Sequence, residues 1–124
     1  MPLRLNIKPF ETIYINGAVI SNGDRSTDLV LHNHCRMLRE SEMISEAEAN
    51  TPCKRIVLLL QQIHLKENPF EELNELSRQS IDLLVAMPDV GPHLLAIQQA
   101  LSEKKTHIAL KKGKALVAHE AQQS

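Results

Sequence analysis

Hydrophobic and polar residues alternate along the first third of the chain. Leu3, Leu5 and Ile7 are each followed by a polar residue, which is the two-residue period of a half-buried β-strand. Further short apolar or β-branched runs lie at 12–15, 29–31 and 37–38, separated by Asn-Gly turn sequences at 16–17 and 22–23. Residues 1–44 are therefore predicted to form a β-rich head, a small antiparallel sheet or partial barrel.

From residue 45 onwards the apolar positions recur every three or four residues, the period of an amphipathic helix. Ser45 and Glu48 have capping-box spacing, and Thr51-Pro52 has the form of an N-cap followed by proline at the first helical position. The apolar positions of four successive helices are Ile56, Leu59, Leu60 and Ile63; Leu73, Leu76, Leu83, Leu84 and Met87; Leu94, Ile97 and Leu101; and Ala109, Leu110, Gly113, Leu116 and Val117. Gly113 is expected to weaken the last helix by up to ~1 kcal/mol relative to alanine.

These patterns predict an α+β fold, in which a sheet or partial barrel over residues 1–44 precedes a tail of about four helices over 45–124. The exposed strand edges of so small a sheet also predict pairing with a second copy, as a homodimer. An internal repeat is not apparent in the sequence.

Composition narrows the function classes. The net charge of −1 gives no global attraction to nucleic acid or membrane, so a polyanion site has to be a local patch. The longest strongly apolar run, 56–60, is far shorter than the ~20 residues of a membrane span. Two cysteines and the absence of a basic, then apolar leader favour a cytoplasmic protein. Only three aromatic residues occur, which argues against rows of stacked bases but leaves a phosphate-based mode of RNA binding open.

Residues with the chemistry of a metal or catalytic site are present without a motif. His32, His34 and Cys35 are close enough to share a metal ion, yet a third and fourth ligand are not evident, and exposed strand histidines explain the segment equally. Cys35 or Cys53 could pair with a histidine as a nucleophile, but no flanking motif accompanies them. The carboxylates Glu11, Asp24 and Asp28 fit hairpin tips, and no phosphate-cradling glycine loop exists. The chain is predicted not to be an enzyme and to need no cofactor and no metal.

Basic residues supply the remaining candidates. Lys54 and Arg55 follow the predicted helix start, where positive charge opposes the helix dipole, so they are candidates for an anion or an acidic partner. Residues 104–124 hold five lysines and one glutamate, which suits either phosphate contact or simple solvation of an amphipathic helix.

Several segments taken together resemble the FlbT family of flagellar regulators. They are INGAVI at 15–20, NGDR at 22–25, LRE at 38–40, EANTP at 48–52 and KRI at 54–56, in this order along the whole chain. Phe10 departs from the glycine common at the first turn of that family, which puts a tight turn there in doubt. The resemblance implies a post-transcriptional regulator that binds the 5′ leader of flagellin mRNA and modulates its translation and stability, by repression with message decay or by activation. It also implies coupling to the flagellar protein FlaF.

The head is also similar, more weakly, to the first and last strands of the CsrA family of RNA-binding regulators. The similarity lies in 3–15 and in Leu38-Arg39-Glu40 followed by Ile44, and convergence of short strand patterns is an alternative explanation. Carried over by position, it implies RNA contact by Leu5, Lys8 and Arg39. With Lys54 and Arg55, these residues make up the candidate RNA-binding set.

A different class of function stays open. The predicted helical tail could bind a protein partner, such as flagellin or FlaF, through a groove formed by Leu73, Leu76, Leu83 and Leu84, and so affect the message indirectly. The ordinary alternative for that stripe is burial in the core. A structural subunit of the flagellum is not indicated, because the sequence has no long heptad repeat.

Overall fold

The structure, a computed structural model, describes residues 2–123. Its first part contains five short strands, β1 (Leu3–Ile7), β2 (Thr12–Ile15), β3 (Ala18–Ser21), β4 (Thr27–Leu31) and β5 (Met37–Arg39). They form two antiparallel sheets, one pairing β1 with β4 and one in the order β3-β2-β5. A short 3-10 turn, Glu40–Glu42, follows β5.

The alternation predicted for β1 is only partly present, because Leu3 is exposed, Leu5 is half-buried and Ile7 is buried. Ile7, Ile13 and Leu38 are buried, whereas β3 is exposed along its whole length. Asn16 and Gly17 both have positive φ angles, of 49° and 86°, as a two-residue hairpin turn with the twist of its strands requires. The Asn-Gly turn between β2 and β3 is therefore confirmed.

Four helices follow, α1 (Pro52–Leu65), α2 (Phe70–Ala86), α3 (Gly91–Ser102) and α4 (Thr106–Gln122). The α+β class with a small antiparallel β region and four helices is therefore confirmed. The chain divides into two compact units, one reaching Met43 and including Leu65–Glu67, the other made of Ile44–His64 and the chain from Asn68 onwards. Ser45 and Glu48 make the reciprocal bonds of a capping box, but they close a single turn and not a helix.

The predicted apolar faces account for the core of the helical unit. Its buried residues include Ile56, Leu60, Ile63, Leu76, Leu83, Leu94, Ile97, Ala109, Leu110 and Leu116. Leu84 was wrongly assigned to this core, since its side chain is 44% exposed. Successive residues of a helix differ by about 100°, so Leu84 cannot share the line that Leu76 and Leu83 form seven residues apart.

Gly113 lies where α4 packs against Val57 and Leu60 of α1. A Cβ atom on this glycine would stand 2.6 Å from Cδ1 of Leu60 and 3.3 Å from Cγ2 of Val57, both of which are buried. Carbon atoms do not approach to 2.6 Å without displacement. The reading of Gly113 as a simple weakness of the helix is therefore incomplete, because the missing side chain permits the packing of two helices.

Two of the five lysines in residues 104–124, Lys104 and Lys105, lie outside the last helix. Lys104 has a positive φ of 60°, and Lys105 immediately precedes α4. The ammonium group of Lys105 forms an ion pair of 3.2 Å with Glu103. Lys111, Lys112 and Lys114 remain as the exposed cations of α4.

Gln61 is a buried polar residue of α1. Its side-chain oxygen accepts a hydrogen bond of 2.8 Å from the N–H of Ile44, and its Nε2 donates one of 3.0 Å to the carbonyl oxygen of the same residue. The amide therefore pairs with Ile44 as the backbone of a neighbouring strand would. This contact fixes the start of the helical unit against its first helix.

Candidate RNA-binding surface

Lys8 and Arg39, two residues of the candidate set, are joined by Glu11. The Nη1 atom of Arg39 lies 2.9 Å from each carboxylate oxygen of Glu11. Oε1 of the same carboxylate accepts a hydrogen bond of 2.9 Å from the backbone N–H of Lys8. The end of β1 and the end of β5 are therefore brought together through one acidic side chain, which the sequence pattern had assigned only to a hairpin tip.

Arg39 is held in place but is not fully used. Its side chain is 23% exposed, and within the described residues its hydrogen bonds engage Nη1 alone. The planar guanidinium has further N–H donors on Nε and Nη2. A fixed arginine with free donors suits a phosphate oxygen or a base edge, although Glu11 neutralises much of its charge.

The surroundings of Glu11 lower the pKa of its carboxyl below the ordinary 4.5, first through the Lys8 N–H and then through Arg39. The native state thus favours the ionised form, and its stabilisation is complete above the unfolded-state pKa and lost as the pH falls through the lower native value. We expect the difference in unfolding free energy between the wild type and Glu11→Gln to shrink as the pH falls from about 6 to about 3. Urea titrations across this range measure the difference, and a constant one would contradict this role of Glu11.

Leu5 lies in the middle of β1 opposite Leu29 of β4 and is half-buried. Its neighbour Arg4 is exposed and lies opposite Val30. Leu5 therefore contributes to packing within the head, and Arg4 is the residue of this strand that offers charge to a ligand.

Lys54 and Arg55 lie at the start of α1, in the helical unit. The N-terminus of this helix already has acceptors, because Oγ of Thr51 accepts from the Lys54 N–H at 3.2 Å and Glu120 accepts from the Cys53 N–H at 3.3 Å. Glu120 also accepts a hydrogen bond of 2.5 Å from the Thr51 hydroxyl. A carboxylate of this chain therefore stands where the sequence suggested an external anion.

The basic side chains themselves have separate surroundings. Nζ of Lys54 lies 3.4 Å from Oδ1 of Asn50. Arg55 is exposed and lines a shallow pocket of about 270 Å³ together with Arg78 and Asp82 of α2. Arg78 is paired with Glu75 and lies 3.7 Å from Asp82, so acidic groups offset the positive charge of this pocket.

Three of the residues considered for catalysis, Cys53, Asp28 and Glu11, have structural surroundings in the described chain. Burial, followed by the hydrogen bond that the thiol donates to the Glu120 carboxylate, raises the pKa of the Cys53 thiol to about 12, which keeps it protonated and unreactive at neutral pH. Asp28 accepts a hydrogen bond from Asn6, and Glu11 is paired with Arg39. Over residues 2–123 no group of three or more His, Cys, Asp or Glu side chains is arranged to hold a metal ion.

Asn22 organises the head more than its place in a turn sequence suggests. Its Nδ2 lies within hydrogen-bonding distance of three carbonyl oxygens, of Ile7 (3.1 Å), Lys8 (2.9 Å) and Arg25 (2.8 Å). The β1–β2 and β3–β4 turns are thereby tied together. In the sequence, the only signal for this contact between the two turns is the residue type, because the side-chain amide of asparagine can donate two hydrogen bonds.

The outer face of α2 carries apolar side chains without cover in the described chain. Phe70, Ile81 and Val85 are exposed and lie on one side of the helix, with Leu84 beside them. The groove expected from Leu73, Leu76, Leu83 and Leu84 is not formed as such, because Leu76 and Leu83 are buried. The exposed face of α2 is therefore an apolar surface of the helical unit.

No helix within the described part of the chain is long and apolar enough to cross a membrane.

Residues 3–123 match the family model described as "Flagellar protein FlbT". The chain is similar to a probable flagellum biosynthesis repressor protein FlbT of Caulobacter sp. strain K31, with 34% identity over 98% of this chain and 95% of that one. The corresponding protein of Rhodopseudomonas palustris strain TIE-1 is 32% identical over 97% and 95%.

The flagellum biosynthesis repressor protein FlbT of Caulobacter vibrioides strain CB 15 is 30% identical over 97% of this chain and 87% of its own. No solved structure gives a significant match.

Proposed function

Because the chain belongs to the FlbT family of flagellar proteins, we propose that it represses flagellum synthesis by binding the 5′ leader of flagellin mRNA in the cytoplasm. Binding at the leader would block ribosome access or expose the message to nucleases. The repressor names of the relatives support the regulatory part of this proposal. The RNA step is supported by the resemblance of the segments quoted above and by the chemistry of the head.

The observation that carries the RNA step is the arrangement of Lys8, Glu11 and Arg39. Glu11 fixes the arginine with donors to spare, and Lys8 presents an exposed ammonium group on the same turn. Lysine supplies sequence-independent attraction to phosphate, whereas a positioned arginine can read a base edge or a phosphate fork. Lys8 would therefore contribute to affinity for any RNA, and Arg39 to the preference for the leader.

Lys8→Ala is expected to weaken binding of the flagellin leader and to reduce the slope of log affinity against log salt by roughly 0.7, the share of one single-strand phosphate contact. Fluorescence anisotropy at several salt concentrations, against a scrambled RNA of equal length, measures both quantities. Lys111→Ala removes the same charge from α4 and is the matched control. An equal loss for both variants would place the RNA elsewhere or mark the binding as unspecific.

Arg39→Ala is the companion variant, and it has to be compared with Glu11→Gln because removing the arginine leaves the Glu11 carboxylate without its ion pair. We expect Arg39→Ala to reduce the preference for the leader over the scrambled RNA, and Glu11→Gln to reduce it less. Unchanged discrimination in Arg39→Ala would remove this residue from the proposed site.

A second candidate function rests on the exposed apolar face of α2. Phe70, Ile81 and Val85 would suit an amphipathic helix of a partner such as flagellin or FlaF, with the message affected indirectly. Co-purification of either protein after nuclease treatment, lost in Ile81→Asp, would favour this function over direct RNA binding. Pairing of two copies through strand edges of the head is compatible with both.

A further inference from the structure

Phe10 occupies an unusual position for a large apolar residue. Its φ angle is +61°, in the left-handed region that favours glycine or asparagine, and its side chain is 73% exposed. The residue thus has an unfavourable backbone conformation and gains little from burial. Such conformations persist only where the surrounding structure imposes them, and they concentrate at functional sites.

Hydrogen bonds on both sides impose this conformation. The N–H of Phe10 donates to the carbonyl oxygen of Gly23 at 2.9 Å, and the N–H of Glu11 donates to that of Lys8 at 3.1 Å. The Asn22 side chain binds carbonyl oxygens on each side of the contact, as described above. The β1–β2 turn is therefore locked against the β3–β4 turn, with the ring of Phe10 at the surface.

The two turns that surround Phe10 also carry exposed charged side chains. Lys8 and Arg25 are exposed cations, Asp24 is an exposed anion, and Glu11 is already paired with Arg39. Proteins hold unpaired nucleotides by combining an exposed aromatic ring with cations in the same region of the surface, since the ring stacks on a base and the cations contact the phosphates. A duplex offers no free base face for such a contact.

We propose that Phe10 is a stacking platform for one unpaired base of a bound RNA, with Lys8 and Arg25 contacting the phosphates on either side. The proposal rests on the RNA-binding function proposed above. The small number of aromatic residues excludes a row of stacked bases but not this contact, because a single exposed ring on a fixed turn can stack on one base.

The sequence contains no tryptophan, so Phe10→Trp introduces a unique fluorophore at the proposed contact. We expect its emission to be quenched when the flagellin leader binds, and to be unchanged with the leader annealed to its complementary strand. Val19→Trp is the matched control, because Val19 is also an exposed apolar residue of the head, on β3. Equal quenching of both reporters, or quenching by the duplex, would overturn the stacking contact.

Phe10→Asn tests the energetic contribution without disturbing the turn, because asparagine tolerates positive φ. We expect this variant to be at least as stable as the wild type and to bind the leader roughly 5- to 150-fold more weakly, the range for loss of one base–aromatic stack. Phe10→Tyr keeps an aromatic ring at this position and should bind the leader about as tightly as the wild type. Leader binding that is lost in Lys8→Ala but unaffected in Phe10→Asn would overturn the stacking platform alone, whereas no binding of the leader by the wild type would overturn both proposals.

Discussion

Gln61→Leu is expected to lower the free energy of unfolding by about 2–5 kcal/mol, although leucine is a good helix former and more apolar. The substitution removes both hydrogen bonds to the backbone of Ile44, which lie in a partly buried position. The N–H and the carbonyl group of Ile44 would each be left without their partner, at a cost of about 1–3 kcal/mol per group. Urea denaturation followed by circular dichroism measures the change.

Gln62→Leu is the control for this effect. It makes the same chemical change one position along α1, at a residue that is only half-buried. We expect a change of less than about 0.5 kcal/mol there, as for most surface substitutions. Similar losses for the two variants would show that the bonds to Ile44 contribute little.

Gly113→Ala is the second substitution with a large expected effect, and helix propensity alone predicts its sign wrongly. Alanine should stabilise an isolated helix by up to ~1 kcal/mol relative to glycine. In this protein the added methyl group would meet Leu60 at 2.6 Å, and overpacking of a well-packed core costs typically ~1–3 kcal/mol. We expect a net destabilisation of about 1–2 kcal/mol, measured by thermal or urea unfolding.

Gly91→Ala provides the comparison at the start of α3. A Cβ atom there would lie 3.6 Å from Cδ1 of Leu84, an ordinary van der Waals distance. This variant should be neutral or slightly more stable. If Gly113→Ala were as stable as Gly91→Ala, α1 and α4 would have room to separate, and the close approach at Gly113 would not be a requirement of the fold.

The element pattern was predictable because it depends on neighbouring residues. The alternation at Leu3, Leu5 and Ile7, the Asn16-Gly17 turn and the Thr51-Pro52 helix start are local signals, and the structure contains the elements that they predict. Leu84 shows the limit of this reasoning. The sequence pattern shows which side of a helix is apolar, but it does not show how many residues on that side are buried. That number depends on how much of the helix its neighbours cover.

The site was less predictable because its contacts join distant parts of the chain. Arg39 was identified as a candidate from strand similarity, but its partner Glu11 lies 28 residues earlier and carried only a turn assignment. The anion suggested by Lys54 and Arg55 is supplied by Glu120, which nothing in the local sequence connects to Thr51. Phe10 was noted as a departure from glycine, yet its left-handed conformation follows from bonds to the other turn.

The pairing of Glu11 with Arg39 has a consequence for RNA recognition by the proposed surface. A carboxylate beside the arginine reduces long-range attraction to a polyanion, so the head gains little from electrostatic steering. In exchange, the guanidinium is ordered before the ligand arrives and loses less conformational freedom on binding. Such a surface suits discrimination among RNAs better than rapid capture of any of them.

The capping of α1 by Glu120 also sets an order of events during synthesis. The strand pairings of the head lie within residues 3–39, so they can form while the helices are still being translated. The carboxylate that completes the start of α1 is added 69 residues after Thr51. During synthesis the Glu120 carboxylate therefore becomes available to the start of α1 only after α2, α3 and most of α4 have been added.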